Sequence, residues 1–181
     1  MKTIFNSKIS VSNYKPIYKA NGKWYVCFGY KEIMEQAKPV LKNGRYAKSN
    51  GLSSTGKCSY SYFVYDEKPL PIVIKDDIEE YINNYISNKI VNDFVWEGNN
   101  VHLTRENQMN YKASYDLAMQ SGGQNLPMKI KTTKNGKTEY LVFFTIDELS
   151  NFYIAMNKYV NDMLEKGWNM KDSIDYSVYS V

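Results

Sequence analysis

Residues 101–118, VHLTRENQMNYKASYDLA, decide how this chain is read. The stretch begins with apolar alternation, breaks at Thr104 and runs into a helical pattern whose first turns carry Glu106, Asn107, Gln108 and Asn110. Such a polar cluster is either a reactive site or the way a helix starts. The first N–H groups of a helix lack intrahelical partners and recruit polar side chains to satisfy them. Thr104 is placed as an N-cap, a helix follows to about Gln120, and Gly122 and Gly123 end it.

A second stretch, VFFTIDELSNF at 142–152, repeats the design. Val101 aligns with Val142, Leu103 with Phe144, Thr104 with Thr145, Glu106 with Asp147, Asn110 with Asn151 and Tyr111 with Phe152. Thr145 and Glu148 have the capping-box spacing. A catalytic cluster is unique, whereas a helix start recurs. Thr104, Thr145 and Glu148 are therefore read as structural caps.

The surrounding pattern extends this reading in both directions. Downstream, MKIKTTKNGKTEYLVFFT at 128–145 is a hairpin turning at Asn135–Gly136. The helix after Thr145 carries Ile146, Leu149, Phe152, Tyr153, Met156, Val160, Met163 and Leu164 on one face. Gly167 is expected to stop it near residue 166. Upstream, FVWEGNNVHL at 94–103 reads as a hairpin turning at residues 98–100. Before it, KDDIEEYINNYISNKIVNDF at 75–94 is an amphipathic helix with Ile78, Tyr81, Ile82, Tyr85, Ile86 and Ile90 on one face. Asp76, Asp77, Glu79 and Glu80 are expected in its first turn, where the helix dipole favours acids. Pro69 and Pro71 mark a domain boundary.

Residues 1–68 read as strands and turns. Asn21–Gly22 closes a hairpin. KEIMEQAK at 31–38 is expected as a short helix ended by Pro39. KNGRYAKSNGLSSTGK at 42–57 is loop-like. CSYSYFVYD at 58–66 is a strand with an aromatic face. The fold class is α+β: a β-rich basic module at 1–68, then a module at 69–181 of β-hairpins and amphipathic α-helices with strand–helix repeats.

The chain has 181 residues and 43% apolar content, enough to bury a core. No stretch approaches the roughly 20 apolar residues of a membrane span, and the N-terminus lacks the apolar run of a signal peptide. Cys27 and Cys58 match no zinc spacing and are read as reduced thiols of a cytosolic setting. His102 is the one histidine, and no nucleophile motif, nucleotide loop or facing carboxylate pair accompanies it. No catalytic residue, metal or cofactor is assigned, and the chain is read as no enzyme. A carboxylate-based enzyme is the third class weighed.

The net charge of +4 is split unevenly. Residues 1–65 hold eleven Lys and Arg against Glu32 and Glu35, giving +9, and the remainder carries −5. Lys38, Lys42, Arg45, Lys48 and Lys57 flank Tyr46 and Tyr60, a set suited to an anionic partner. Those seven residues are the expected partner-binding set. The partner is an acidic protein or, as the alternative, single-stranded nucleic acid.

The segment at about 94–176 also resembles a small domain that recurs in bacteriophage proteins. It is similar to domains at the C-terminus of tail-fibre and fibre-assembly proteins, and to short proteins of Bacteroides phages. The shared features are the LT-x-E-N-Q helix start, NYKASYDLA, the LP strand, the long helix and the exit GW-x-x-K-x-x-ID. The resemblance implies a virion structural part, made in the bacterial host cytoplasm and carried in the particle as an adaptor, auxiliary or fibre-associated subunit. Its implied partners are other virion proteins, in a homo- or hetero-oligomer, with no membrane involved. It carries no catalytic residues.

Overall fold

The computed structural model describes residues 4–36, 40–42, 45–47 and 52–180; the side chains of residues 36, 40–42 and 45–47 lie outside that description. The fold is α+β. It divides into two compact units, Met1–Ile78 with Ile174–Val181, and Glu79–Ser173.

The first unit is built on an antiparallel sheet of β1 (Phe5–Ser10), β2 (Ile17–Ala20), β3 (Lys23–Gln36) and β6 (Leu52–Tyr65), in the order β1-β6-β3-β2. The β2–β3 hairpin closes at Asn21 and Gly22, with φ of 50° and 77°. Two residues of positive φ match the right-handed twist of paired strands, which is why Asn-Gly specifies this turn. β3 and β6 each run 14 residues. They pair from Trp24↔Tyr65 out to Gln36↔Leu52, with register shifts after Phe28 and after Glu32. β1 covers β6 only as far as Lys57. Beyond that point β3 and β6 continue as a two-stranded ribbon for about five residues, roughly 17 Å. Two short strands, β4 (Val40–Lys42) and β5 (Arg45–Ala47), pair with each other in the intervening segment.

One face of this sheet buries Val26, Phe28 and Phe63, with the last two rings stacked at 4.9 Å. Ile74 and Ile78, at the start of helix α1 (Pro71–Asn92), are fully buried in the same unit. Tyr65 Oη donates to Asp77 at 2.7 Å. Tyr179, from the C-terminal turn, donates to the Cys27 carbonyl at 2.7 Å.

The second unit holds a sheet of β7 (Val95–Trp96), β8 (Asn99–Asn100), β9 (Met128–Lys134) and β10 (Lys137–Phe143), in the order β10-β9-β8-β7. With it go the rest of α1, α2 (Arg105–Ser121) and α3 (Ile146–Asp172). Ile82, Ile86 and Ile90 keep the stripe at every fourth residue that packs α1. Phe152 is the hub. Its ring lies 5.0 Å from Phe143, 5.4 Å from Tyr111, 5.9 Å from Trp96 and 6.1 Å from Phe94.

Several expectations are corrected. Helix α1 begins at Pro71 instead of at Lys75, and the two compact units divide inside it, at Ile78. The apolar run at 71–74 extends the isoleucine stripe and Pro is well tolerated at a first helical position. No acid lies in the first turn as a result. Residues 31–36 are strand, not helix, because β6 pairs with them; residues 37–39 lie outside the described residues. Residues 52–57, expected as loop, belong to β6, and 52–56 are the other half of that ribbon. The turn of the short hairpin is at Glu97 and Gly98, both at positive φ. Helix α3 passes through Gly167 and ends at Asp172. A Cβ at Gly167 would stand 3.0 Å from Ile86 Cγ1, so this glycine permits close helix packing and does not stop the helix.

Candidate functional site

Side chains alternate across a strand, so strand pairing collects every second residue of four strands on one face. On the face opposite Phe63, that rule gathers Phe5 from β1, Tyr18 from β2, Tyr25 from β3, and Tyr60 and Tyr62 from β6. The rings touch in series. Phe5 stacks on Tyr62 at 5.2 Å, Tyr62 meets Tyr25 at 5.7 Å, and Tyr25 stacks on Tyr18 at 5.0 Å. In the other direction Tyr62 meets Tyr60 at 6.1 Å, and Tyr60 meets Tyr14 edge-on at 5.5 Å. Tyr14 follows the 3-10 turn Val11–Asn13 and also packs on Tyr30 at 4.8 Å. Tyr30 follows Gly29, whose φ of 65° lies in the register shift of β3. A bulge of this kind re-aims the next side chain.

The belt is graded in burial. Tyr60, with Cys27 and Cys58, forms a buried cluster beneath it. Tyr14, Tyr18, Tyr25 and Tyr62 are half-buried, while Phe5 and Tyr30 are 42% and 43% exposed. Burial pushes Tyr14 and Tyr18 up to about 12, so both are neutral phenols throughout the physiological range. Burial, with the neighbouring Cys58, also pushes the Cys27 thiol up to about 12. It is an unreactive core group, since nucleophilic thiols need a lowered value. A concavity of about 380 Å³ opens beside the belt between Asn13, Lys15, Tyr18 and Tyr60. Lys19 and Lys68 lie 6.0 and 5.4 Å from the centre of the Trp24 ring, which alternation puts on the Phe63 face; beside the belt itself the cations are Lys15 and Lys19, which line the concavity. This surface offers flat apolar area with phenol edges and cations nearby, which suits contact with another molecule.

Of the expected partner-binding residues, Lys57 is exposed and Tyr60 is 7% exposed. Three positions apart on β6, they point to opposite faces and form no joint site. Lys38 and Lys48 lie outside the described residues. Lys42, Arg45 and Tyr46 lie on β4 and β5, where Lys42 pairs with Arg45 in register; their side chains are outside the described residues. The sequence pattern on β6 exposed Tyr60 and Tyr62 as one face. It held no signal joining them to Phe5, Tyr18 or Tyr25, because strand order decides that. Among the described residues, no group of three His, Cys, Asp or Glu converges as a metal site, and no helix is long and apolar enough to cross a membrane.

The polar cluster that opens α2 is helix-start chemistry. Thr104 Oγ1 accepts from the Asn107 backbone N–H at 3.2 Å. Asn107 Nδ2 donates to the His102 carbonyl at 2.8 Å and Gln108 Nε2 to the Leu103 carbonyl at 2.7 Å. At the second start, Thr145 Oγ1 accepts from Glu148 N–H at 3.2 Å. Glu148 Oε2 accepts in return from Thr145 N–H at 3.2 Å and from Phe144 N–H at 2.7 Å. The echo holds from the threonines onward and inverts before them. Val101 and Leu103 are buried, whereas Val142 and Phe144 are exposed and Phe143 takes the inward place.

A family model described as a domain of unknown function, DUF4376, matches residues 73–180, more than half of the chain. The chain belongs to this family. The DUF4376 segment covers most of α1, both later helices and the sheet β7–β10. It includes both capped helix starts and the whole of the segment at 94–176 read as a recurrent small domain. The tyrosine belt lies N-terminal to the DUF4376 segment. No curated protein and no solved structure matches the chain.

Proposed function

We propose that this protein is a structural subunit of a phage particle, an adaptor, auxiliary or fibre-associated component of head, neck or tail that works through protein–protein contact. It is made in the host cytoplasm, ends in the virion and acts there as part of a homo- or hetero-oligomer, without catalysis. The observation that carries this reading is the tyrosine belt. Rigid aromatics with polar edges give large contact area at low entropic cost, and they are enriched where proteins meet. The ribbon of β3 and β6 supports it, because it presents paired backbone beyond the main sheet. The particle itself comes from the resemblance of 94–176 to fibre and fibre-assembly domains.

The test is the double variant Phe5→Ser and Tyr30→Ser, which removes the two most exposed rings of the belt. Its melting temperature should hardly move, because both rings are substantially exposed, and its incorporation into particles should be lost. Normal incorporation overturns the reading. A second reading, nucleic-acid binding, draws on the +9 charge of residues 1–65 and the lysines over Trp24. Retention of single-stranded DNA or RNA at physiological salt in a mobility-shift assay favours it, since non-specific phosphate contacts weaken steeply with salt.

A further inference from the structure

β10 is the last strand of its sheet, and among the described residues no strand pairs with its outer side. Natural sheet edges are blunted by prolines, bulges, a short length or charged side chains. β10 has no proline and no bulge, is seven residues long and pairs with β9 at every position from Lys137↔Lys134 to Phe143↔Met128 without a shift; its charges, Lys137 and Glu139, lie at its start, and residues 140–143 carry none. Its backbone is a ready template for another strand.

The outward face beside that edge is equally unprotected. Tyr140, Val142 and Phe144 alternate along it, 53%, 38% and 67% exposed. Opposite them on β9 stand Lys131 and Lys129, both exposed. Lys129 leans across, with Nζ 4.0 Å from the centre of the Tyr140 ring. No residue of β9 or β10 on this face is acidic. Glu139, the one acid in the two strands, alternates to the other side with Leu141 and Phe143.

We propose that β10 takes up an extended acidic segment of a partner protein as a fifth strand. Main-chain hydrogen bonds to the edge would supply affinity, and side chains on alternate positions would set specificity. The segment's outward residues would cover Tyr140 and Val142 and place carboxylates near Lys129 and Lys131. A second copy of this chain fits less well. Antiparallel self-pairing about Tyr140 sets Lys137 opposite Phe143 and brings no acid to Lys129 or Lys131. A nucleic-acid strand would leave the backbone edge unused and would have to displace Lys129 from the ring. This inference concerns the second unit and stands whether or not the tyrosine belt docks in a particle.

The experiment uses the full chain and three fluorescent probes: a peptide of about ten residues alternating Glu with Val, its Lys-for-Glu counterpart, and oligo-dT. The acidic peptide should bind at least about tenfold tighter than the basic one, weaken with salt, and protect the β10 amides from hydrogen exchange. The double variant Lys129→Glu and Lys131→Glu should invert the preference between the peptides, with an unchanged circular dichroism spectrum. Tyr140→Asp should weaken the acidic peptide and serves as the second variant. Equal binding of both peptides, tighter binding of oligo-dT, or binding without β10 protection overturns the proposal. So does sedimentation that shows self-association lost in Tyr140→Asp, which would assign the edge to a second copy.

Discussion

Replacing Gly167 by alanine sets two effects of known sign against each other. In an exposed helix interior, Gly→Ala stabilises by about 1 kcal/mol, because glycine loses the most backbone entropy on folding. Here the new methyl would stand 3.0 Å from Ile86 Cγ1, with Cβ and Cδ1 of the same side chain at 3.7 Å. Ile86 is 5% exposed, so it has little room to retreat. Overpacking of this kind costs about 1–3 kcal/mol. The clash outweighs the gain in backbone entropy, and Gly167→Ala should destabilise by roughly 0–2 kcal/mol in urea melts. The decisive comparison is a double-mutant cycle with Ile86→Ala. That change alone should cost about 2–5 kcal/mol. In the Ile86→Ala background the clash is gone and the alanine methyl partly fills the space. There Gly167→Ala should become stabilising, with a coupling of about 1–3 kcal/mol between the sites. A stabilising single variant, or additivity within about 0.5 kcal/mol, would show that Gly167 meets no close neighbour.

Thr145→Ala should cost about 0.5–2 kcal/mol. It should exceed Thr104→Ala, because only Thr145 sits in a reciprocal pair with Glu148; equal, negligible effects in urea melts would contradict the capping account. His102→Gln should leave fold and biological activity intact, since its side chain is exposed and only its carbonyl is used, by Asn107; loss of activity in a folded variant would reopen catalysis. Alkaline conditions should loosen the first unit. Tyr14, Tyr18 and Cys27 all have folded-state values of about 12, above ordinary values of 10.0 for the phenols and 9.0 for the thiol. Their stabilising contribution is complete below the ordinary values and is lost as pH rises towards about 12. Melting followed from pH 8 to pH 11 should show this decline, and Cys27 should resist thiol reagents until the unit unfolds.

The parts of the fold that were legible in the sequence are those fixed by local rules. Asn21–Gly22 and Asn135–Gly136 need positive φ at both residues and gave both hairpins. Thr104 and Thr145 with Glu148 carry their hydrogen bonds within a few residues, so the helix starts could be read directly. What failed were segments decided by distant partners. Residues 31–36 have a local pattern compatible with a helix, and only β6 makes them a strand. Gly167 is a stop signal by propensity, but Ile86, 81 positions earlier, makes it a packing device. The echo of 101–111 and 142–152 survived at the caps and inverted in the strands, because parity before a cap depends on which residue the core takes.

The candidate site was less legible still. Charge placed the expected contact residues around 38–60, and of these Tyr60 lies beneath the belt it helps to build. The belt needs Phe5, Tyr18, Tyr25 and Tyr62 side by side, and that follows from the order β1-β6-β3-β2, which no spacing in the sequence encodes.

The central proposal, a structural part of a phage particle, is tested most directly by quantitative mass spectrometry of phage particles purified from a culture that makes this chain. The protein should be present at a fixed copy number relative to the major particle proteins and should persist through high-salt washing. Absence from particles, with recovery of the protein on bare nucleic acid in the infected cell, would contradict it.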